Sequence, residues 1–335
     1  MKKITALLLA LLMLMSTALS VSATTPPQPK RFTDVSKSAW YADNVNYVTE
    51  NGLMKGTSEN TFSPDMTLSR AMVVTIIYRM AGEPVVEGIE NKFTDVPADE
   101  WYTSAVLWAN ENGIVYGRDN KTYDPSDDIT RQELAVMLFR YVKKYTLRIP
   151  QDIETPDYAD AEKIYDFAEF DVKCLSRAGI INGKDGNKFD PHASATRAEA
   201  AAIISRFVKK ASVQDFSFLE KLGITIRAEP QIWEEGNYGA HYSQSFDVLI
   251  KLNGNTYNPE DFTVYTKLWT DYASDKGYLR FYRSYTDSFC YSIDNPSVIF
   301  PFNFEEASGA WTEVTITYAG ESATYQLFTS ISRIS

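Results

Sequence analysis

Gly117-Arg118-Asp119-Asn120-Lys121-Thr122-Tyr123-Asp124-Pro125-Ser126-Asp127-Asp128-Ile129-Thr130-Arg131-Gln132-Glu133 runs from a glycine to an arginine fourteen residues on, where an apolar helical pattern begins. The same ruler occurs twice more, in Gly56-Thr57…Leu68-Ser69-Arg70-Ala71 and Gly183-Lys184…Ala195-Thr196-Arg197-Ala198. The three stretches are unequally spaced, yet the distance from Gly to Arg never changes. A constant internal length inside a variable period marks one structural unit used three times, with the slack taken up in linkers.

Each unit opens on an aromatic and an acid: Phe32-Thr33-Asp34-Val35, Phe93-Thr94-Asp95-Val96 and Tyr158-Ala159-Asp160-Ala161. Trp40-Tyr41 and Trp101-Tyr102 follow in the first two; in the third the aligned position is Asp166, beside Tyr165. Apolar residues then recur at helical spacing (Val45, Val48; Ala105, Trp108, Ala109; Phe167, Ala168, Leu175). The first helix of each unit is expected to stop at Gly52, Gly113 or Gly179, since glycine takes the left-handed position after a last helical turn without steric cost.

A loop then leads to Phe62-Ser63-Pro64, Tyr123-Asp124-Pro125 or Phe189-Asp190-Pro191, and a second helix starts after Ser69, Thr130 or Thr196. Thr130-x-x-Glu133 and Thr196-x-x-Glu199 read as capping boxes; unit 1 has Met72 in place of the Glu. The apolar stripes behind these caps cannot be buried by one helical hairpin, so three units packing their second helices around a pseudo-threefold axis are expected.

These elements, Phe-x-Asp-Val, Trp-Tyr, Gly-Ile-x-x-Gly, Phe-x-Pro and Thr-Arg-x-Glu in order, resemble the S-layer homology repeat in a tandem set of three. The resemblance spans residues 32 to about 211. It implies non-covalent anchoring to a bacterial cell wall through a secondary cell-wall polysaccharide, often one carrying pyruvate ketals. Such a ketal keeps a free carboxylate, and Arg is a permanently charged fork matched to carboxylate. An Arg one residue beyond the N-cap also adds free backbone donors and the positive end of the helix dipole.

By motif, Arg70, Arg131 and Arg197 are the expected carboxylate ligands, Gly56, Gly117 and Gly183 the groove loops, and Trp40 and Trp101 stacking walls. Asp34, Asp95 and Asp160 complete the candidate set. A structural alternative pairs each Arg with one of those Asp residues, and the Trp side chains are as readily core as groove. An Arg131→Ala, Arg197→Ala double variant is expected to lose wall binding with helical content intact. The departures in units 1 and 3 weigh against three equal sites.

The rest of the chain bounds these readings. Residues 1–23 have a signal peptide's form: Lys2-Lys3, an apolar run from Ile4 to Met15, and Val21-Ser22-Ala23 for cleavage. A linker at 24–31 precedes unit 1 (32–88), unit 2 (89–150) and unit 3 (151–211). With 33 basic against 44 acidic side chains, nucleic acid and anionic membrane are poor partners, and no membrane insertion is expected after cleavage. Two cysteines, Cys174 and Cys290, do not make a disulfide framework.

After Lys209-Lys210-Ala211 the composition turns Tyr-rich and alternating, as in residues 246–252 and 279–282. Residues 312–318 and 323–328, joined at 319–322, read as a C-terminal hairpin, and Asn253-Gly254-Asn255 as another turn. A multidomain chain follows: an all-α pseudo-threefold trimer, then an all-β sandwich at 212–335 for which an immunoglobulin-like form is one option. That region has no recognised family; an unknown protein or glycan is its expected ligand.

No catalytic motif, metal site or cofactor is expected. His192 and His241 are the only histidines, and Cys290 with His241, or Glu234-Glu235 with Asp271 or Asp275, form no catalytic pattern. The expected function is non-enzymatic anchoring at the cell wall with a displayed β region. The alternatives are an envelope-anchored carbohydrate-active enzyme and an S-layer array component.

Overall fold

A computed structural model describes residues 32–235, 241–270, 274–285, 288–292 and 309–330. The leader (1–23) and linker (24–31) expected from sequence lie outside the described residues. Unit 1 contributes helices α1 (Ala42–Glu50) and α2 (Arg70–Met80). Unit 2 contributes α3 (Thr103–Glu111) and α4 (Arg131–Tyr145), and unit 3 α5 (Asp166–Arg177) and α6 (Arg197–Lys210). Gly52, Gly113 and Gly179 end the first helices with φ of +70°, +67° and +59°, the left-handed turn that only glycine takes freely.

Backbone hydrogen bonds close the three units into a ring. Leu68 N–H donates to Ala195 O (3.0 Å), Ala195 N–H to Ile129 O (3.0 Å) and Ile129 N–H to Leu68 O (2.9 Å). These residues each precede an N-cap, so the pseudo-threefold axis passes where the second helices begin. One continuous core runs through all three units, with Val73, Ile77, Leu134, Leu138, Ala200 and Ile204 at its centre.

The main helix pairs differ from the expected packing of second helix on second helix. Instead α2 packs on α3, α4 on α5, and α6 on α1. Each second helix therefore leans on the first helix of the next unit, and the third closes on the first. The reason lies in the width of the apolar faces: α4 buries every residue from Leu134 to Phe139. One edge of such a face turns to the axis and leaves the other for a neighbour.

The chain leaves the helical units through a small antiparallel pair, β1 (Leu147–Arg148) and β2 (Ser212–Val213), followed by α7 (Ser217–Leu222). Seven further strands follow: β3 (Thr225–Glu235), β4 (His241–Lys251), β5 (Phe262–Thr270), β6 (Ser274–Tyr285), β7 (Ser288–Ser292), β8 (Gly309–Tyr318) and β9 (Glu321–Ser330). They form an antiparallel array in the order β3-β4-β7-β6-β5-β8-β9. The first half of β6 pairs with β5 and the second with β7, with a register shift between Phe281 and Arg283. Val248, Ile250, Val264, Val314, Ile316 and Tyr325 form its core, closed at one end by Leu219 of α7.

The expected C-terminal hairpin is present. Its loop is two residues, Ala319 and Gly320, at φ +51° and +83°, and both positive values match the turn that follows the twist of paired strands. Asn253 and Gly254 make a similar turn.

A buried pair of glutamines docks this region on the helices. Gln326 of β9 accepts from Ile149 N–H and donates to Ile149 O, both at 3.0 Å. Gln214 bonds the Gln326 backbone in both directions and also donates to Thr146 O. Phe328 sets its ring edge-on to Phe139 of α4 at 5.0 Å.

Candidate functional site

The three helix-start arginines occupy equivalent positions. Ser69, Thr130 and Thr196 are the N-caps, and in the latter two the Glu133 and Glu199 side chains complete capping boxes. Each Arg then reaches into the loop of the next unit. Arg70 Nε donates to Tyr123 O (2.9 Å) and Nη2 to Tyr116 O (3.0 Å). Arg131 bonds Phe189 O (2.8 Å) and Asn182 O (3.0 Å), and Arg197 bonds Phe62 O (2.7 Å) and Lys55 O (2.6 Å). Each guanidinium also lies over the ring of that same Tyr123, Phe189 or Phe62.

All three arginines are buried, so they stitch the ring while presenting little more than one edge outward. Burial pulls the guanidinium of Arg131 down from its ordinary value, against which Glu199 acts. The same burial acts on Arg197, opposed by Asp34.

The backbone donors at the helix starts are not free, contrary to the expectation from the N-cap position. Arg70 and Ala71 N–H donate to Asp127 and Pro125 carbonyls, and the equivalent donors of units 2 and 3 are used likewise. The ring closure described above consumes them, so an anion would meet side chains here rather than a bare helix terminus.

Asp34, Asp95 and Asp160 make no ion pair with these arginines. Each carboxylate holds two consecutive backbone donors of its own unit: Phe62 and Ser63, Tyr123 and Asp124, Phe189 and Asp190. Ser63, Asp124 and Asp190 sit just before proline with positive φ, and the carboxylate bonds hold that unfavourable turn in place. Burial of Asp160 disfavours its charge, but these N–H donors more than offset this and keep its carboxyl below the ordinary range.

Gly56, Gly117 and Gly183 each face the ring that opens the unit. A Cβ on Gly56 would stand 2.5 Å from Phe32 Cε1, and one on Gly183 2.8 Å from Tyr158 Cε1. Glycine is required there by internal packing whatever else the loop touches. Trp40 and Trp101 are exposed, at 63 and 58%, each set edge-on against the following Tyr. In unit 3, Tyr165 holds the N-cap position of Tyr41 and Tyr102, while Phe167 is exposed at 53%.

Between units 1 and 2 these parts enclose a cavity of about 210 Å³, lined by Arg70, Tyr116, Gly117, Arg118, Glu133 and Arg140, with Phe167 of unit 3 on its wall. Arg118 pairs with Glu133 at 2.5 Å, and Arg70 Nη1 stands 4.0 Å from the same carboxylate. Burial opposes the charge on Glu133, yet the Thr130 and Arg118 donors hold its carboxyl below the ordinary range. Arg131 faces Glu199 at 3.7 Å, with Lys184 bonded to that carboxylate at 3.0 Å. Arg197 has Met72 at the corresponding position and no acidic partner within ion-pair distance among the described residues.

The cavity thus joins Arg70, Gly117 and Arg118 to Arg140, Tyr116 and Phe167, which the Gly-to-Arg motif does not mark. The sequence signal for Arg140 is its position nine residues after Arg131, shared by Arg79 and Arg206. Among the described residues no cluster of His, Cys, Asp and Glu is arranged to hold a metal ion. Cys174 is buried, as its place in a helical stripe suggests. Trp233, Glu234, Glu235, His241, Asp271, Asp275 and Cys290 lie outside the residues whose side chains are described. No helix among the described residues is long and apolar enough to cross a membrane.

Three stretches, residues 31–71, 92–135 and 157–201, match the S-layer homology domain. The surface-layer 125 kDa protein of Lysinibacillus sphaericus is 32% identical over 197 residues, 57% of this chain and 16% of that protein. An amylopullulanase of Thermoanaerobacterium thermosulfurigenes is 32% identical over 181 residues, 54% of this chain and 10% of the enzyme. The S-layer protein EA1 of Bacillus anthracis is 27% identical over 257 residues, 71% of this chain and 29% of that protein. The chain spans less than a third of the length of each of these relatives.

Proposed function

From the three tandem S-layer homology domains that this chain carries, we propose that it is anchored at a bacterial cell surface by non-covalent binding to a secondary cell-wall polysaccharide, with its β region displayed outward. The observation that carries this reading is the cationic cavity between units 1 and 2, placed where the matched domains meet. An acidic chain of net charge −11 binds an anionic polymer only where positive groups are focused locally, and Arg70 and Arg140 provide that focus. A pyruvate-ketal carboxylate suits them, because guanidinium and carboxylate form charge-assisted bonds stronger than neutral ones.

The exposed Trp40 and Trp101 serve as stacking surfaces for the polymer's sugar rings. Their placement beside the starts of α1 and α3 puts them on the outside of the ring. The protein itself is read as non-enzymatic. Its likeness to the amylopullulanase covers 10% of that enzyme, and the matched domains belong to anchoring. For the β region we retain a two-layer sandwich, with β6 passing from one layer to the other at its register shift. The alternatives, an anchored carbohydrate-active enzyme or an array component, are supported by the likeness to an amylopullulanase and to S-layer proteins alone.

The test is sedimentation of the full mature chain with purified bacterial wall sacculi, before and after acid removal of pyruvate. Retention on native sacculi and loss after treatment are expected. Equal retention on both removes the carboxylate contact and leaves anchoring; no retention on either removes the anchoring itself.

A further inference from the structure

Each second helix carries an arginine nine residues beyond its first: Arg79, Arg140 and Arg206. Two of them are tied to the backbone. Arg79 Nη1 donates to Leu53 O at 3.2 Å and Arg206 Nη1 to Ile180 O at 3.5 Å. Both acceptors directly follow the glycine that ends the first helix. The matching acceptor for Arg140 is Ile114 O, and that bond is not formed. Arg140 instead lies over the Tyr116 ring at 4.6 Å and makes no hydrogen bond to any described residue. Tyr116, the ring that Arg140 covers, stands where units 1 and 3 have Lys55 and Asn182.

We propose that Arg140, held by Tyr116 rather than by a backbone carbonyl, makes the cavity between units 1 and 2 the principal groove, gripping one acidic sugar's carboxylate between its guanidinium and the Nη1 edge of Arg70. This rests on the polysaccharide reading above and adds which groove binds and why. A cation partly removed from water and given no hydrogen-bond acceptor among the described residues gains more from an incoming anion than one already bonded. Burial indeed pulls the Arg140 guanidinium below its ordinary value; Asp171 opposes this from α5, but Asp171 also pairs with Lys143 at 3.9 Å. Glu133 does not cancel the site because Arg118 answers it. Stacking on Tyr116 fixes the plane of the fork before any ligand arrives.

The other two junctions lack this pair. Where Arg131 projects, Lys184 is shared between Asp190 and Glu199 much as Arg118 is between Asp127 and Glu133, but Arg206 is bonded to its carbonyl. Where Arg197 projects, Arg79 is held by Leu53 O and by Glu83 at 3.7 Å. The cavity volume, roughly that of seven liquid waters, suits one sugar residue with its acidic substituent.

Binding of the full mature chain to native wall sacculi tests this, with Arg140→Ala, Arg79→Ala and Arg206→Ala compared under one salt concentration. Arg140→Ala is expected to weaken binding about tenfold or more, as loss of a charge-assisted bond does, and the other two by less than about twofold. Tyr116→Asn, which installs the residue of unit 3, is expected to return Arg140 to Ile114 O and weaken binding similarly with an unchanged melting temperature. Wild-type binding with Arg140→Ala and Tyr116→Asn both unaffected overturns the groove assignment alone, as does an equal loss in all three arginine variants. A wild-type chain that ignores native sacculi overturns the anchoring reading beneath it.

Discussion

The helical units and the β region bury their polar groups in opposite ways. The units place charged side chains inside, with Arg70, Arg131, Arg197 and Asp160 all nearly inaccessible, and use each against backbone groups at a repeated position. The buried polar contact that joins the β region to them is a neutral pair, Gln214 and Gln326, that has no repeat. Repetition explains the difference. A ring of three similar units meets the same junction three times, and one sequence solution, an Arg on two carbonyls of the next unit, satisfies all of them. A single junction between unlike parts has no such template and is met by whatever side chains pair locally.

The largest expected effect separates these modes. Arg131→Ala removes the donors of Phe189 O and Asn182 O and opens a void beneath the loop. A loss of about 3–4 kcal/mol is expected, from two buried acceptors left unsatisfied. A shift in urea midpoint measures it. The expectation that an Arg131→Ala, Arg197→Ala double variant keeps its helical content does not suit side chains in this position. Two stitches of three would be cut, and binding would be lost with the fold. Arg140 is the better probe of binding because no backbone group depends on it.

Gln326→Ala comes next. It leaves Ile149 N–H and O without partners at the junction, at a cost of about 2 kcal/mol. The helical ring should survive it, since none of the three ring-closing bonds involves residues beyond Ala195. Cleavage by protease near residues 146–149 should then precede unfolding of the helices, whereas Arg131→Ala should lose both together. Simultaneous loss in the Gln326 variant would mean that the two regions fold as one cooperative unit.

The same contrast decides what was legible in the sequence. The Gly-to-Arg ruler, the capping boxes and the helix-ending glycines are local signals, and each corresponds to an observed turn or cap. The destination of each arginine is not local. Arg197 bonds Lys55 O and Phe62 O, more than a hundred residues back, and nothing in the motif distinguishes a carbonyl acceptor from a ligand carboxylate. The aspartates were opaque for the same reason: their partners are backbone N–H groups that carry no residue signature. Tyr116 and Phe167 belong to different units, so their meeting at one cavity required the ring closure. In the β region the turns at residues 319–322 and at Asn253-Gly254-Asn255 were readable, while the tightness of the hairpin loop and the strand order, set by long-range pairing, were not.

A smaller effect concerns Asp171, a buried acid in the all-helical part that lacks the backbone donors given to Asp160. Burial pushes its carboxyl up to about 6, with Lys143 and Arg140 opposing the rise. A folded-state pKa above the unfolded value means that the fold binds the extra proton. Stability should therefore rise as pH falls from about 6.5 to 4, and Asp171→Asn should flatten that slope and add roughly 1–2 kcal/mol at neutral pH. Asp160 acts with the opposite sign, because its lowered pKa contributes stability that is lost only as pH falls below the ordinary carboxylate range. Melting temperatures across pH 4–7 isolate Asp171. A profile identical in the Asn variant would show that Lys143 keeps the acid ionised throughout.

The smallest expected effect uses an arginine outside the repeated motif, at the junction. Arg148 bonds Glu313 of β8 at 3.0 Å with its side chain 46% exposed. Water replaces such a partner readily, so Arg148→Ala should cost about 0.5 kcal/mol or less. Set beside Arg131→Ala, it tests whether burial against backbone carbonyls, rather than charge itself, gives the helical arginines their weight. Raising the salt concentration sharpens the comparison. The Arg148 contribution should vanish by about 1 M, where exposed charges are screened within a few ångströms, while the Arg131 deficit should persist. If both deficits faded together, the ring would be held by general electrostatics, and the distinction between its repeated stitches and the single junction would collapse.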